Sequence, residues 1–149
     1  MQPAAARKKI SVNSKLAESP GNVALSTLLN VRHGAEAVEF YKTALGAEEI
    51  FRIESDDGAV VAQMSVGGAQ FWLADESTEN SNFSPETLGG STVRMVLSVE
   101  DPDTAFQRAV AAGAKVVWPI EDQDWGWRMG RVVDPFGHHW EIGKPLPHE

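Results

Sequence analysis

An order of elements that occurs twice constrains this chain more than any single residue does. In the first half Leu25, Thr27, Leu29 and Val31 alternate with Ser26, Leu28 and Asn30, a period of two that predicts a strand with one face against a core. The period then turns helical. Ala37, Val38, Tyr41, Ala44 and Leu45 form an apolar stripe with Glu36, Glu39 and Lys42 outside it, and Gly46 supplies a left-handed stop. Strand patterns follow at Glu48 to Glu54, Val60 to Val66 and Gln70 to Ala74, divided by Asp56-Asp57-Gly58 and Gly67-Gly68.

The second half repeats this order. Val93, Met95, Leu97 and Val99 alternate on a strand, Asp101-Pro102 caps and starts a helix, and Ala105, Phe106, Ala109, Val110 and Ala112 make its stripe. Gly113-Ala114 closes that helix as Gly46-Ala47 closes the first, and strand patterns follow at Lys115 to Pro119, Met129 to Val133 and His139 to Ile142. This is a duplication by pattern rather than by identity. It predicts an α+β fold of two paired βαβββ modules, each too small to bury its own face, with helices outside and curled mixed sheets around a shared cavity. The expected boundaries are a flexible tail at 1–22, a first module at 23–75, a linker at 76–91 rich in Ser, Asn, Glu, Pro and Gly, a second module at 92–143 and a C-terminal tail at 144–149.

Residues that alternate with the helix-packing set should face the cavity. They are Ser26, Leu28 and Asn30; Trp72; Arg94, Val96 and Ser98; and His139 and Glu141. The last pair follows Asp134-Pro135-Phe136-Gly137, a turn in which Asp opens, Pro presets φ and Gly closes. His139 and Glu141 then point one way while Trp140 and Ile142 point toward the core. His138 should oppose His139, and His33 and His148 should be solvated.

Composition removes several classes of function. With 149 residues the chain has the length of one domain, and it has no cysteine for a disulfide, a thiol nucleophile or a zinc-thiolate site. A formal charge of −8 opposes a nucleic-acid groove, and the basic cluster Arg7, Lys8 and Lys9 lies in the tail. No run approaches a membrane span and no apolar signal segment opens the chain, so the expectation is a soluble cytoplasmic protein. No Ser-His-Asp arrangement or phosphate-cradling glycine loop is visible.

Three stretches resemble the vicinal oxygen chelate superfamily of glyoxalases, bleomycin-resistance proteins and extradiol dioxygenases. They are A-V-E-F-Y-K-T-A-L-G-A at 37–47, V-E-D-P-D-T-A-F-Q-R-A-V-A-A-G-A at 99–114 and G-R-V-V-D-P-F-G-H-H-W-E-I at 130–142. The resemblance spans about residues 23–143 and implies paired βαβββ modules, usually in a homodimer. Metal-dependent members of that family place one ligand on each of four strands. Carried over, those positions are Ser26, Trp72, Arg94 and Glu141, of which only Glu141 keeps a ligand type. Serine is a poor ligand, indole is a donor only and guanidinium repels a cation, so no metal is expected, even with His139 two residues away.

What then fills the cavity has alternative answers. Arg94 and Glu141 either pair with each other or receive a ligand's anionic or carbonyl group together with His139. Trp125 and Trp127, in the polar loop E-D-Q-D-W-G-W-R, either wall an aromatic or charged ligand or seal a dimer interface. The expected function is a bleomycin-resistance-like protein that binds or sequesters an aromatic or charged small molecule without a metal. Its expected ligand-binding residues are Ser26, Asn30, Trp72, Arg94, Trp125, Trp127, His139 and Glu141. The alternatives are a metal-dependent glyoxalase- or dioxygenase-type enzyme and a metal-free lyase or isomerase with Glu141 as general base.

Overall fold

The structure, a computed structural model, describes residues 8–15 and 22–148. They divide near Ser84 into two compact units. The first holds β1 (Lys8–Val12), β2 (Leu28–Val31), α1 (Gly34–Leu45), β3 (Glu48–Ser55), β4 (Val60–Val66) and β5 (Ala69–Asp75). Its strands form one sheet in the order β1-β3-β4-β5-β2, antiparallel except where β2 runs parallel to β5.

α1 forms because its apolar stripe has a sheet to cover. Ala37, Val38, Tyr41 and Ala44 are fully buried, as are Leu29, Val31, Ile50, Ala62, Met64, Phe71 and Leu73. Tyr41 meets Phe71 edge to face with ring centres 5.4 Å apart. His33 makes no side-chain cap at the helix start. Instead Asp75 bridges the helix to the sheet, accepting the Gly34 N–H at 3.1 Å and the Val60 N–H at 2.6 Å. At the other end Gly46, at φ 67°, provides the expected left-handed cap.

The sheet face turned away from α1 is largely apolar. One row across all five strands reads Val12, Phe51, Gln63, Trp72, Leu28. Val12 and Leu28 are about half exposed, at 57% and 49%, while Phe51 and Trp72 meet edge to face at 5.7 Å.

After a 3₁₀ turn at Thr78–Asn80, the second unit comprises α2 (Pro85–Leu88), β6 (Arg94–Ser98), α3 (Pro102–Ala112), β7 (Lys115–Asp122), β8 (Trp127–Val133) and β9 (His139–Pro145). The sheet order is β6-β9-β8-β7, with β6 parallel to β9. That is the order β2-β5-β4-β3 of the first unit, so the duplication inferred from patterning is a duplication of topology. α3 begins as its sequence predicts. Asp101 accepts hydrogen bonds from the Thr104 hydroxyl and N–H, which hold its carboxyl below the usual range. Phe106 and Ala109 on α3 are buried, as are Val132, Trp140 and Ile142 on β8 and β9.

Several boundaries differ from the sequence expectation. Lys8–Val12, expected within a flexible tail, is a strand, because Lys8↔Ser55 through Val12↔Phe51 occupies the hydrogen-bonding edge that β3 would otherwise leave open. Residues 1–7, 16–21 and 149 of the expected tails lie outside the described residues. Leu25, expected in the core, is fully exposed. The first strand pairs only from Leu28↔Trp72 onward, and upstream of it Thr27 O accepts the Trp72 N–H. β9 continues to Pro145 because β8 extends back to pair Trp127 with it.

Gly130 on β8 is required by space. A Cβ there would lie 2.7 Å from both the Ile120 nitrogen and Phe106 Cε2. Gly130→Ala should therefore destabilise the fold by about 1–3 kcal/mol, read as a lower urea midpoint with unchanged slope. An unchanged midpoint would mean that β7 and α3 yield freely at this point.

Candidate functional site

The second unit's hairpin is fixed at its turn by one carboxylate. Asp134 is buried, and its Oδ1 accepts the N–H groups of Phe136 at 2.9 Å and His138 at 3.0 Å while Oδ2 accepts the Trp140 indole N–H at 2.9 Å. The Asp134 N–H donates in turn to His138 O at 2.8 Å. The turn therefore sets which residues of β8 and β9 lie opposite each other: Val133 and His139, Val132 and Trp140, Arg131 and Glu141.

With that register, the sheet face turned away from α3 carries a charged row. Val96 on β6, Glu141 on β9, Arg131 on β8 and Trp118 on β7 are successive neighbours across the strands. Glu141 Oε1 accepts a hydrogen bond from Arg131 Nη2 at 3.0 Å and lies 3.5 Å from Arg94 Nη1. On its other side the Arg131 guanidinium carbon lies 5.3 Å from the centre of the Trp118 ring, a cation–π contact. Arg131 is thus held between a carboxylate and an indole.

The two ion pairs are unequal. The Glu141 and Arg131 side chains are 10% and 19% exposed, but Arg94 is 58% exposed. Water screens the Arg94 pair to within about 1 kcal/mol, while loss of Arg131 leaves a desolvated carboxylate short of its closest partner. Two further atoms on this face stand out. Arg131 Nε and His139 Nδ1 are buried and have no hydrogen-bond partner among the described residues. A buried polar atom left unsatisfied costs about 1–3 kcal/mol.

Of the residues singled out from sequence, Arg94, His139 and Glu141 are brought together on this face. Trp125 and Trp127 stack on each other at the β7–β8 hairpin tip, with ring centres 6.3 Å apart and planes at 30°. Arg131 lies about 13 Å from Trp127 along the same strand. Ser26, Asn30 and Trp72 belong to the first unit. Ser26 is exposed and precedes β2, Asn30 is half-buried beside Ala74, and Trp72 lies beside Leu28. As expected, Trp140 is buried in the core and His33 and His148 are exposed; His138, expected only to oppose His139, is buried. Sequence reasoning missed Arg131 and Trp118. Arg131 was within reach, because counting back from the Asp134 turn puts it opposite Glu141. Trp118 was not, because two register shifts separate β7 from a regular count.

The donor set does not fit a divalent ion. Glu141 is already neutralised by guanidinium, Arg94 is itself a cation, and the described residues include no group of three His, Cys, Asp or Glu side chains suited to a metal. No helix of the described residues is long and apolar enough to cross a membrane.

Comparison with known proteins agrees with this architecture. Residues 24–142 match the Glyoxalase/Bleomycin resistance protein/Dioxygenase superfamily. The chain belongs to that superfamily. An uncharacterized protein of Mycobacterium bovis is 42% identical over 127 residues, covering 83% of this chain and 84% of the relative. Among solved structures, TioX from Micromonospora aligns with a TM-score of 0.64 at 28% identity, over 83% of this chain and all (100%) of that one. An Arabidopsis thaliana protein aligns at 0.62 with 29% identity, over 83% and 98%. The fosfomycin resistance protein FosX of Listeria monocytogenes, at 18% identity and a TM-score of 0.59 over 81% and 89%, shares the fold.

Asp134→Ala should cost roughly 3 kcal/mol or more, since it strands three donors at once; a urea midpoint near wild type would show that the turn holds without it. Arg94→Met should cost less than about 1 kcal/mol and Arg131→Met about 3 kcal/mol. The double change Arg131→Met, Glu141→Leu should cost less than the two single losses added, and strict additivity would show that the pair does not couple.

Proposed function

We propose that this protein binds and sequesters an aromatic or charged small molecule on the Arg131–Glu141 face, without a divalent metal, as a cytoplasmic homodimer. The observation that carries the reading is the engagement of Glu141. At the one position where a superfamily ligand type survives, the carboxylate accepts from Arg131 at 3.0 Å with Arg94 at 3.5 Å, leaving a charged and aromatic surface in place of a metal corner. The Trp118 ring adds a flat platform beside it, a geometry suited to stacking. Support for the dimer is the superfamily itself, together with the exposed apolar side chains of Val96, Leu28 and Trp125 at 59%, 49% and 55%, of which Trp is of the kind enriched at interfaces.

The competing reading is a metal-dependent enzyme of the superfamily, and metal content separates the two. Mass spectrometry after incubation with Zn, Ni, Mn and Fe(II) should find no stoichiometric ion. Naphthalene compounds should quench tryptophan fluorescence saturably in the presence of chelator, with affinity reduced about tenfold in Trp118→Ala. Stoichiometric metal that disappears in Glu141→Ala, or quenching that requires added metal, would put the enzyme first. Sedimentation velocity should give twice the chain mass, and a monomer at micromolar concentration would remove the dimer.

A further inference from the structure

Resting on that reading, we infer that the ligand's anchoring group is an oxyanion on a flat ring system. The Arg131 and Arg94 guanidiniums and His139 would take the oxyanion, and Trp118 would stack against the ring. The charge balance of the face gives the sign. Arg94 and Arg131 both converge on Glu141, so two cations surround one carboxylate. Lys115, opposite Val133, and Glu121, opposite Met129, each lie two residues along β8 from Arg131 and offset each other, so the excess comes from Arg94 and Arg131 against Glu141. The local excess is positive even though the chain as a whole carries −8.

The unpartnered atoms give the chemistry. Arg131 Nε carries a hydrogen and can only donate, and it is buried with no acceptor among the described residues. His139 Nδ1, also buried and unpartnered, donates in one tautomer and in the protonated form. The register joins them. Val133 lies opposite His139, and Arg131 two residues earlier lies opposite Glu141, so both nitrogens belong to adjacent positions of one sheet face. A ligand that satisfies both must be an acceptor, which an oxyanion is and an ammonium is not. Glu141 has a positioning role here, because its hydrogen bond to Nη2 and the Trp118 ring hold the guanidinium plane in place.

The test is calorimetric titration of the full chain with four probes of one shape: naphthoate, naphthyl phosphate, naphthylmethanol and naphthylmethylammonium. At least one oxyanion should bind about tenfold more tightly than the alcohol, with the ammonium weakest and the oxyanion advantage shrinking as salt rises. The ratio of naphthoate to naphthyl phosphate tells a carboxylate ligand from a phosphorylated one. Arg131→Lys keeps the charge but removes the Nε donor and should abolish the advantage of oxyanion over alcohol, read as a ratio within the variant. Arg94→Met changes an exposed residue, so its fold should persist, and it should reduce the advantage several-fold.

Equal binding of alcohol and oxyanion, or an advantage that survives both substitutions, overturns the oxyanion assignment and leaves small-molecule binding intact. No binding by any probe overturns both.

Discussion

The carboxylate of Asp134 is the interaction on which the charged face of the second sheet depends. It lies at a hairpin turn and satisfies two backbone N–H groups and one indole N–H, so it fixes the loop, the strand entry and a core side chain together. Side chains alternate on a strand, and a slip of one residue would turn Arg131 toward α3 and bring Val132 opposite Glu141. A charge would then be buried against Phe106 and Ile142 without a partner. The ion pair at the centre of the face is therefore a consequence of a turn several residues away. The same carboxylate also holds Trp140, whose ring fills the core beneath that face.

Glu141 shows how this sheet face balances a buried carboxylate. A buried carboxylate needs a counter-charge, and a divalent ion held by several strands is one solution. Here guanidiniums supply the counter-charge from the adjacent strands β8 and β6, in the directions that the sheet's own hydrogen bonding dictates. An arginine fork differs from a metal ion in what it leaves over. A metal offers open coordination positions to a lone pair, whereas guanidinium offers N–H donors in one plane and an apolar face on each side. Trp118 covers one of those faces, and Nε remains an unused donor. The chemistry this face offers is hydrogen bonding to an acceptor.

Much of this was legible in the sequence because helix and strand periods differ and because Gly46 and Asp101-Pro102 mark helix ends by backbone and capping chemistry. The topology followed from the repetition. The position of Glu141 followed from the turn, and so could that of Arg131, had β8 been counted against β9 as carefully as β9 was read alone. Other features have no local signature. Lys8–Val12 is polar and short, and it becomes a strand only because the edge of β3 is available to it. Trp118 reaches Arg131 through a strand with two register shifts, which a period of two does not anticipate. Leu25 continues the alternating pattern ahead of Leu28, where the pairing of β2 with β5 begins, and it is exposed in spite of its chemistry.

The two modules, each taken alone, also show where a duplicated fold is free to diverge. Their helix-facing surfaces are both apolar and closely packed, with Tyr41 and Phe71 in one and Phe106 and Trp140 in the other, because a helix on a sheet leaves no room for unpaired charge. Their opposite faces share a topology but not a chemistry. The first runs Val12, Phe51, Gln63, Trp72, Leu28, and the second Val96, Glu141, Arg131, Trp118. The apolar row gains by removing surface from water, and the charged row gains only from a partner of matching shape and sign. The two rows differ on the surface that the helix does not cover, while the helix-facing surfaces of both modules keep one apolar chemistry.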